Sequence, residues 1–386
     1  MKILCIIGTR PEVIKMAPVI LKLKSNRLFD CLICTSSQHK ELLEKPMQIF
    51  GLKADIDLDI MTENQDSFDV SVKILTKIKP VIIQLVPDLI LVQGDTHTAF
   101  LGALAGFYTR VRVAHIEAGL RTYRPNEPYP EEIYRQMISR MAALHFAPTV
   151  VAKQNLLNEK IDASGIFVTG NTGIDALNYI QNNNSGVRAD QNQVELSGIP
   201  DEIFSYLKKP PKNLVLVTMH RRENIKQGIA NVCKAIIRLS RERDIIFVFT
   251  VHANPAVSHY VNQMLKDCKN ILLTPPLPYN LFIQLMIHCS FIITDSGGIQ
   301  EEAATLGKPV LVARNHSDRP ESIEASIAKL VGTKVENIYH AAIRLIDNDE
   351  ERQKMTRQVK VYGDGQATER IVRILEKYVS DDKEIV

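Results

Sequence analysis

No run of apolar residues in this 386-residue chain approaches the length of a membrane span. The apolar stretch at residues 3–7 is too short for the core of a secretory signal, so a cytoplasmic protein with no membrane partner is expected. An excess of charge of one sign is also missing. The 47 Lys and Arg against 44 Asp and Glu leave a formal +3, with no long basic run. A dedicated nucleic-acid surface needs clustered cations, so no nucleic-acid partner is expected. The ten histidines and six cysteines lack H-x-x-x-H or Cys/His ligand spacing, which argues against a metal. Cys31-Leu-Ile-Cys34 spells C-x-x-C, but it lies in a strand-like stretch, where residues three apart point to opposite faces. The cysteines are therefore read as buried structural thiols. The G-x-G-x-x-G fingerprint is absent too, which disfavours nicotinamide or flavin binding, and no cofactor is expected.

What remains is an ordinary globular composition, 45% apolar and 24% charged, on a chain longer than one core usually supports. Continuous apolar runs at 2–7, 31–35, 88–93, 111–116 and 166–169 read as strands, and so do 213–218, 245–250, 270–274, 291–294 and 309–313. Runs of this kind mark parallel strands covered on both faces. Segments at 12–24, 98–108, 131–142 and 229–241 have helical spacing between them. The alternation occurs twice, which predicts an α/β fold of two doubly wound, Rossmann-like sheets facing a central cleft. The break lies in 181–212, around Asn182-Asn183-Asn184-Ser185-Gly186 and Lys208-Lys209-Pro210-Pro211-Lys212. The expected domains are residues 1–181 and 182–365, with a final helix over 366–386 returning to the first.

Ligands of doubly wound sheets bind at the carboxyl ends of strands, so those positions carry the functional reading. The first strand runs into Gly8-Thr9-Arg10-Pro11-Glu12 and a helix bearing Lys15, a turn suited to an anion. Asp295-Ser296-Gly297-Gly298 leads from a strand into a helix, where small residues let a phosphate approach unpaired amides. Glu302, one turn further, suits the two hydroxyls of a ribose, while Glu301 is expected to be solvated. Asp95, Glu117 and Glu131 stand at successive strand ends or helix starts, near Arg121 and Arg135. Each acid alone fits a cap or turn, but three together with cations point to acid/base chemistry. His220 among Arg221, Arg222 and Glu223 closes the first strand of the second half.

With those residues in view, the chain resembles the non-hydrolysing UDP-N-acetylglucosamine 2-epimerase family. The matching motifs are Gly8-Thr9-Arg10-Pro11-Glu12 with Lys15, Gly94-Asp95-Thr96, Glu117-Ala118-Gly119-Leu120-Arg121-Thr122 and Pro130-Glu131-Glu132 with Arg135. Gly170-Asn171-Thr172, His220-Arg221-Arg222-Glu223-Asn224, Asp295 through Glu302, Gly307-Lys308-Pro309-Val310 and Tyr362-Gly363-Asp364-Gly365 extend the match over nearly the whole chain. The resemblance implies the GT-B architecture, a homodimer, and interconversion of UDP-GlcNAc and UDP-ManNAc that supplies ManNAc units for cell-surface polysaccharide. It places ligand contacts on Arg10, Lys15, Asp95, Glu117, His220, Ser296, Gly297, Gly298, Glu302 and Arg319, with uracil at Leu277 (through its backbone) and Phe282. A second, activating nucleotide-sugar is implied near Gln38, Glu132, Arg221 and His252. The chain departs from the family at Ser37, Tyr134 and Ala253, and Tyr134 beside Arg135 is expected to leave room for a modified sugar.

The chemistry sets its own demand. C2–H of an N-acetylhexosamine is not next to a carbonyl, so the C1–O bond to UDP must ionise before a carboxylate can take that proton. Cations and helix-start amides stabilise the departing diphosphate, a role suited to Lys15 and His220. Two faces of C2 need two acid/base groups from Asp95, Glu117 and Glu131, with Arg135 orienting an acid or phosphate. A glycosyltransferase of the same fold, a hydrolysing epimerase and a non-catalytic nucleotide-sugar sensor are the competing readings.

Overall fold

The computed structural model describes residues 1–36, 40–62, 65–183, 198–219, 227–251, 255–317 and 319–383. Two compact units divide the chain: Met1–Asn182 with Tyr362–Val386, and Asn183–Val361. The chain re-enters unit 1 at Tyr362, a few residues ahead of the 366 read from the sequence.

Unit 1 runs β1 (Lys2–Ile7), α1 (Arg10–Ser25), β2 (Asp30–Thr35), α2 (Lys40–Ile49), β3 (Ile56–Asp57), α3 (Ser67–Leu85) and β4 (Leu89–Gln93). It continues with α4 (His97–Thr109), β5 (Arg112–Ile116), α5 (Glu131–Met141), β6 (Leu144–Ala147), α6 (Val150–Asn158), β7 (Ile166–Val168) and α7 (Thr172–Asn182). Unit 2 runs α8 (Asp201–Lys208), β8 (Leu214–Met219), α9 (Gln227–Glu242), β9 (Ile246–Val251), α10 (Pro255–Leu265), β10 (Ile271–Thr274), α11 (Tyr279–His288) and β11 (Phe291–Thr294). It ends with α12 (Gly297–Leu306), β12 (Val310–Val312), α13 (Pro320–Glu324), β13 (Ala328–Leu330), α14 (Val335–Asp347) and α15 (Asp349–Met355), before α16 (Ala367–Lys383) returns to unit 1.

Each unit is built on one parallel sheet, ordered β3-β2-β1-β4-β5-β6-β7 in unit 1 and β10-β9-β8-β11-β12-β13 in unit 2. Ile3 pairs with Cys31 on one side and Leu89 on the other, so β1 and β4 flank the point where the order reverses. In unit 2 that point lies between β8 and β11. Loops leaving the carboxyl ends on either side of such a point diverge to opposite faces and open a crevice. The loops after β1, β4 and β11 are the strand-end segments singled out by sequence.

Why these strands form is legible in their burial. β1 from Ile3 to Ile7 and all of β4 are buried, as helices on both faces require of a central parallel strand. Ile74, Ile78 and Ile82 of α3, at helical spacing, close one face over Ile6, Ile90 and Val92. Strands β3, β6 and β13 were not expected. β3 has two residues, β6 carries His145 in a four-residue run, and β13 exposes Lys329 and Leu330.

Five cysteines are buried and Cys268 is only partly so, which corrects the expectation for that one residue. Burial pushes the Cys34 thiol up to about 12. The return to unit 1 is closely fitted. The Asp175 carboxylate of α7 accepts the Ala367 and Thr368 N–H groups at 3.2 and 2.8 Å, capping α16 from a neighbouring helix. Asn171 N–H donates to Tyr362 O at 2.7 Å, and a Cβ on Gly363 would lie 3.1 Å from the Gly170 Cα.

Candidate active site

At the end of β1, Thr9 is the extended N-cap of α1, and Pro11 sits in the first helical turn, where a missing N–H costs nothing. Gly8 tolerates no side chain: a Cβ there would lie 2.0 Å from Thr98 Oγ1. Glu12, in the third helical position, folds back. Its Oε2 accepts the Gly8 N–H at 3.0 Å and its Oε1 accepts the Thr96 hydroxyl at 2.7 Å. This fully buried carboxylate therefore joins the turn after β1 to the loop carrying Asp95, and burial pushes it up to about 7.

The loop after β4 is held a second time by His115 of β5, whose ring nitrogen donates to Gly94 O at 2.7 Å. Burial pushes His115 down to about 3, so it stays neutral. Asp95 receives Nη2 of Arg135, which is almost wholly buried in α5. Glu131 lies four residues before Arg135 and so on the same face of α5. Glu117, after β5, sits at φ 67°, a left-handed conformation costly for a residue with a Cβ. Three donors converge on its carboxylate: Lys15 Nζ and Asn171 Nδ2 on Oε1, the latter at 3.4 Å, and Gln93 Nε2 on Oε2. A Cβ on Gly94 would stand 3.4 Å from Glu117 Oε2, so the Asp95 turn and Glu117 are neighbours. Unit 1 thus assembles two carboxylate–cation pairs at adjacent strand ends, with Glu131 on the helix that supplies one cation.

Three residues expected near these acids have partners of their own. Arg121 forks onto Glu159 at 2.6 and 2.9 Å and donates to Ser139 Oγ and Leu120 O, each at 2.8 Å. It is a strut beneath the site, not a member of it. Glu132, a position implied for a second nucleotide-sugar, is fully buried and accepts the Thr122 and Tyr123 N–H groups at 3.0 Å each. This carboxylate ties the loop to α5 and lies 3.6 Å from Arg135 Nη1. Tyr134 stacks on Phe100 and His97, with ring centroids at 4.9 and 5.4 Å. Its ring fills the seam between α4 and α5.

In unit 2, Ser296 caps α12 with extended backbone and no side-chain cap bond, so the first amides of that helix are not closed off by its hydroxyl. Thr294 Oγ1 accepts the Ser296 N–H at 3.0 Å and pairs with Thr218 Oγ1 at 2.7 Å, which fixes the turn. The Arg319 guanidinium lies over Gly297, where an added Cβ would meet its Cζ at 3.2 Å. Glu301 is not solvated as expected: it is buried and receives Arg319 Nε. Glu302 faces another way and accepts the Tyr279 hydroxyl at 2.8 Å. Leu277 and Phe282, two residues before and three after Tyr279, have buried side chains. His220, Arg221, His252 and Gln38 lie outside the described residues.

Glu12, Gln93, His115 and Asn171 join the site without a role legible in the sequence. The available signal was a polar residue ending an otherwise apolar strand, as in Leu-Ile-Leu-Val-Gln93.

Comparison with known proteins gives this geometry its context. The UDP-N-acetylglucosamine 2-epimerase family model matches residues 21–376. A UDP-N-acetylglucosamine 2-epimerase of Campylobacter jejuni is 45% identical over 377 residues, covering 97% of each chain. The crystal structure of UDP-GlcNAc 2-epimerase from Neisseria meningitidis bound to UDP-GlcNAc superposes with a TM-score of 0.90 at 40% identity, covering 98% of this chain and 100% of that one. The S. aureus MnaA–UDP co-structure gives 0.88 at 39%, covering 98% and 97%. The two parallel-sheet units are accordingly of the GT-B type. Near-complete coverage in both directions, with the carboxylate–cation pairs at the strand ends, establishes that the chain belongs to the UDP-N-acetylglucosamine 2-epimerase family.

Proposed function

We propose that this chain interconverts UDP-N-acetylglucosamine and UDP-N-acetylmannosamine by eliminating UDP to a 2-acetamidoglucal and adding it back. The observation that carries the reading is the pairing of Asp95 with Arg135 and Glu117 with Lys15 at neighbouring carboxyl ends of one parallel sheet. In the forward direction the C1–O bond breaks, the electron pair leaves with the β-phosphate of UDP, and a carboxylate takes the C2 proton. In the return, a carboxylic acid delivers a proton to the opposite face of C2 while UDP re-adds at C1. Two of Asp95, Glu117 and Glu131 supply the proton-transfer groups. Arg10 and Lys15 of unit 1 offer cations suited to a diphosphate, and in unit 2 so do His220 and the open amides at the start of α12. Arg319 adds its charge at Gly297, Leu277 and Phe282 flank the base, and Glu302 takes the ribose.

Incubation of UDP-GlcNAc with the protein in D2O tests this, followed by NMR. The expected result is UDP-ManNAc with deuterium at C2 in both sugars. Epimerisation that leaves C2 unlabelled refutes the elimination, and release of free ManNAc identifies a hydrolase.

We further propose a homodimer through the outer face of α3, α4 and α5. Phe68 (82% exposed), Val72, Ile83, Phe107 and Met137 present apolar side chains there, more than a monomer usually leaves to water on adjacent helices. Light scattering reads the mass, which Phe68→Glu with Val72→Glu is expected to halve. No helix among the described residues is long and apolar enough to cross a membrane.

A further inference from the structure

Because β5, β6 and β7 are parallel, their amino ends lie at the edge of the unit 1 sheet opposite to Asp95 and Glu117. There the residues that open β6 and lead into β7, with the end of α5 and the later turns of α16, line a cavity of about 720 Å³. That is the size of a small-molecule site and far more than one inorganic anion fills. Its rim is cationic. Arg140 comes from α5, Lys160 from the turn after α6 and Lys377 from α16; all three are exposed, and their side chains have no ion-pair partner among the described residues. Among those residues Asp162 is the one acid in the lining, and its carboxylate accepts the Ser164 N–H at 3.0 Å as a helix cap. Arg112, which opens β5, adds a further cation at this edge, over the Tyr378 ring at 5.2 Å from its centroid. Lys160 stands at φ 63°, a left-handed turn that glycine makes at lower cost, so the turn itself gains nothing from the lysine side chain.

Deeper in, the chemistry changes. His145, the second residue of β6, lines the same cavity, is 2% exposed, and its Nδ1 has no hydrogen-bond partner among the described residues. A buried polar atom without a partner is costly, and a ligand that supplies one removes the cost. Burial pushes the ring down to about 4, so it is uncharged near neutral pH. A hydroxyl suits a neutral imidazole nitrogen in either tautomer, since it can donate or accept. Cations at the rim and an uncharged polar atom beneath them therefore ask for different ends of one molecule. We propose that this cavity binds a small hydroxyl-bearing organic phosphate, its phosphate on Arg140, Lys160 and Lys377 and a hydroxyl on His145 Nδ1. The length of β5 and β6, about 15 Å, separates this site from the strand-end acids.

The experiment uses glucose 6-phosphate as the probe, added to the full chain with UDP in excess to occupy the nucleotide site. Nitrogen-15 signals of the histidine rings are followed by NMR near neutral pH, with His145 assigned from His145→Gln. The expected result is a saturable movement of the His145 signals, with none from glucose and with inorganic phosphate at least about tenfold weaker. Lys160→Gly and Lys377→Ala are each expected to weaken the probe at least about threefold. Glycine suits the left-handed turn, so the melting temperature of Lys160→Gly is expected not to fall, which separates lost binding from lost folding. No movement at His145 overturns the site. An equal response to glucose overturns the role of the cations, and inorganic phosphate binding as tightly as the probe overturns the hydroxyl contact. Unchanged affinity in a folded variant carrying both Lys160→Gly and Lys377→Ala also overturns the site, because the probe is then held elsewhere.

Discussion

Replacing Glu12 with glutamine should change how the stability of this protein depends on pH. The folded carboxyl titrates at about 7 because burial disfavours its charge, against an ordinary value of 4.5. Between these two values the native state therefore holds a proton that the unfolded chain has released, so unfolding becomes easier as pH rises. Below 4.5 both states are protonated and no penalty exists, and above 7 it is complete. Between pH 5 and pH 8 the two titrations differ by about 2.5 kcal/mol. The Glu12→Gln side chain keeps an acceptor for the Gly8 N–H and an amide donor for Thr96 Oγ1, and it never carries the charge. The stability of the variant minus that of the wild type should therefore rise by about 2.5 kcal/mol over this range, while every other titrating group cancels. The chain has no tryptophan, so urea unfolding followed by far-UV circular dichroism at pH 5, 6, 7 and 8 is the suitable assay. A difference that stays flat with pH would refute the claim that burial raises the Glu12 carboxyl above its ordinary range.

Asp95→Asn keeps the hydrogen bond to Arg135 but cannot take a proton, and should lower kcat by about 100-fold or more while UDP affinity by calorimetry stays within about twofold. Gly8→Ala drives a methyl into Thr98 and should destabilise the protein by about 1–3 kcal/mol, read as a lower urea midpoint. Glu301→Ala leaves the Arg319 guanidinium buried without its carboxylate and should cost about 3–5 kcal/mol in the same assay. Asp175→Ala removes the cap of α16 and should cost about 1 kcal/mol, with amide exchange accelerated first at Ala367 and Thr368.

The central strands and the loops that follow them were legible in the sequence for a simple reason. A parallel strand covered on both faces must be apolar throughout, and a polar or glycine residue that breaks such a run at its end stands out. β3 and β13 gave no such run, being two and three residues long with exposed positions. The three carboxylates were found because each follows a strand or opens a helix. Their partners were not all found, because pairing is set by the fold and not by spacing. Arg121 lies close to the acids in sequence, yet its carboxylate is Glu159, which follows α6. Helical geometry separated Glu301 from Glu302 by about 100° but could not say which faced solvent. Arg319 and Tyr279, each distant in sequence, decided that. Nothing local in Gly8-Thr9-Arg10-Pro11-Glu12 shows that the Glu12 side chain folds back between two loops.

The return of α16 to unit 1 bears on how the chain acquires its structure. Unit 2 is an insertion: residues 183–361 interrupt a domain whose last helix lies beyond them. A ribosome delivers β1 to α7 first, yet the face of α1 and α7 against which α16 packs stays uncovered until residues after Tyr362 emerge. Synthesis at about 5–20 residues per second holds that face open for on the order of ten to forty seconds. Unit 2, whose sheet is continuous in sequence, can complete itself in that interval, so the domain translated first is the one finished last.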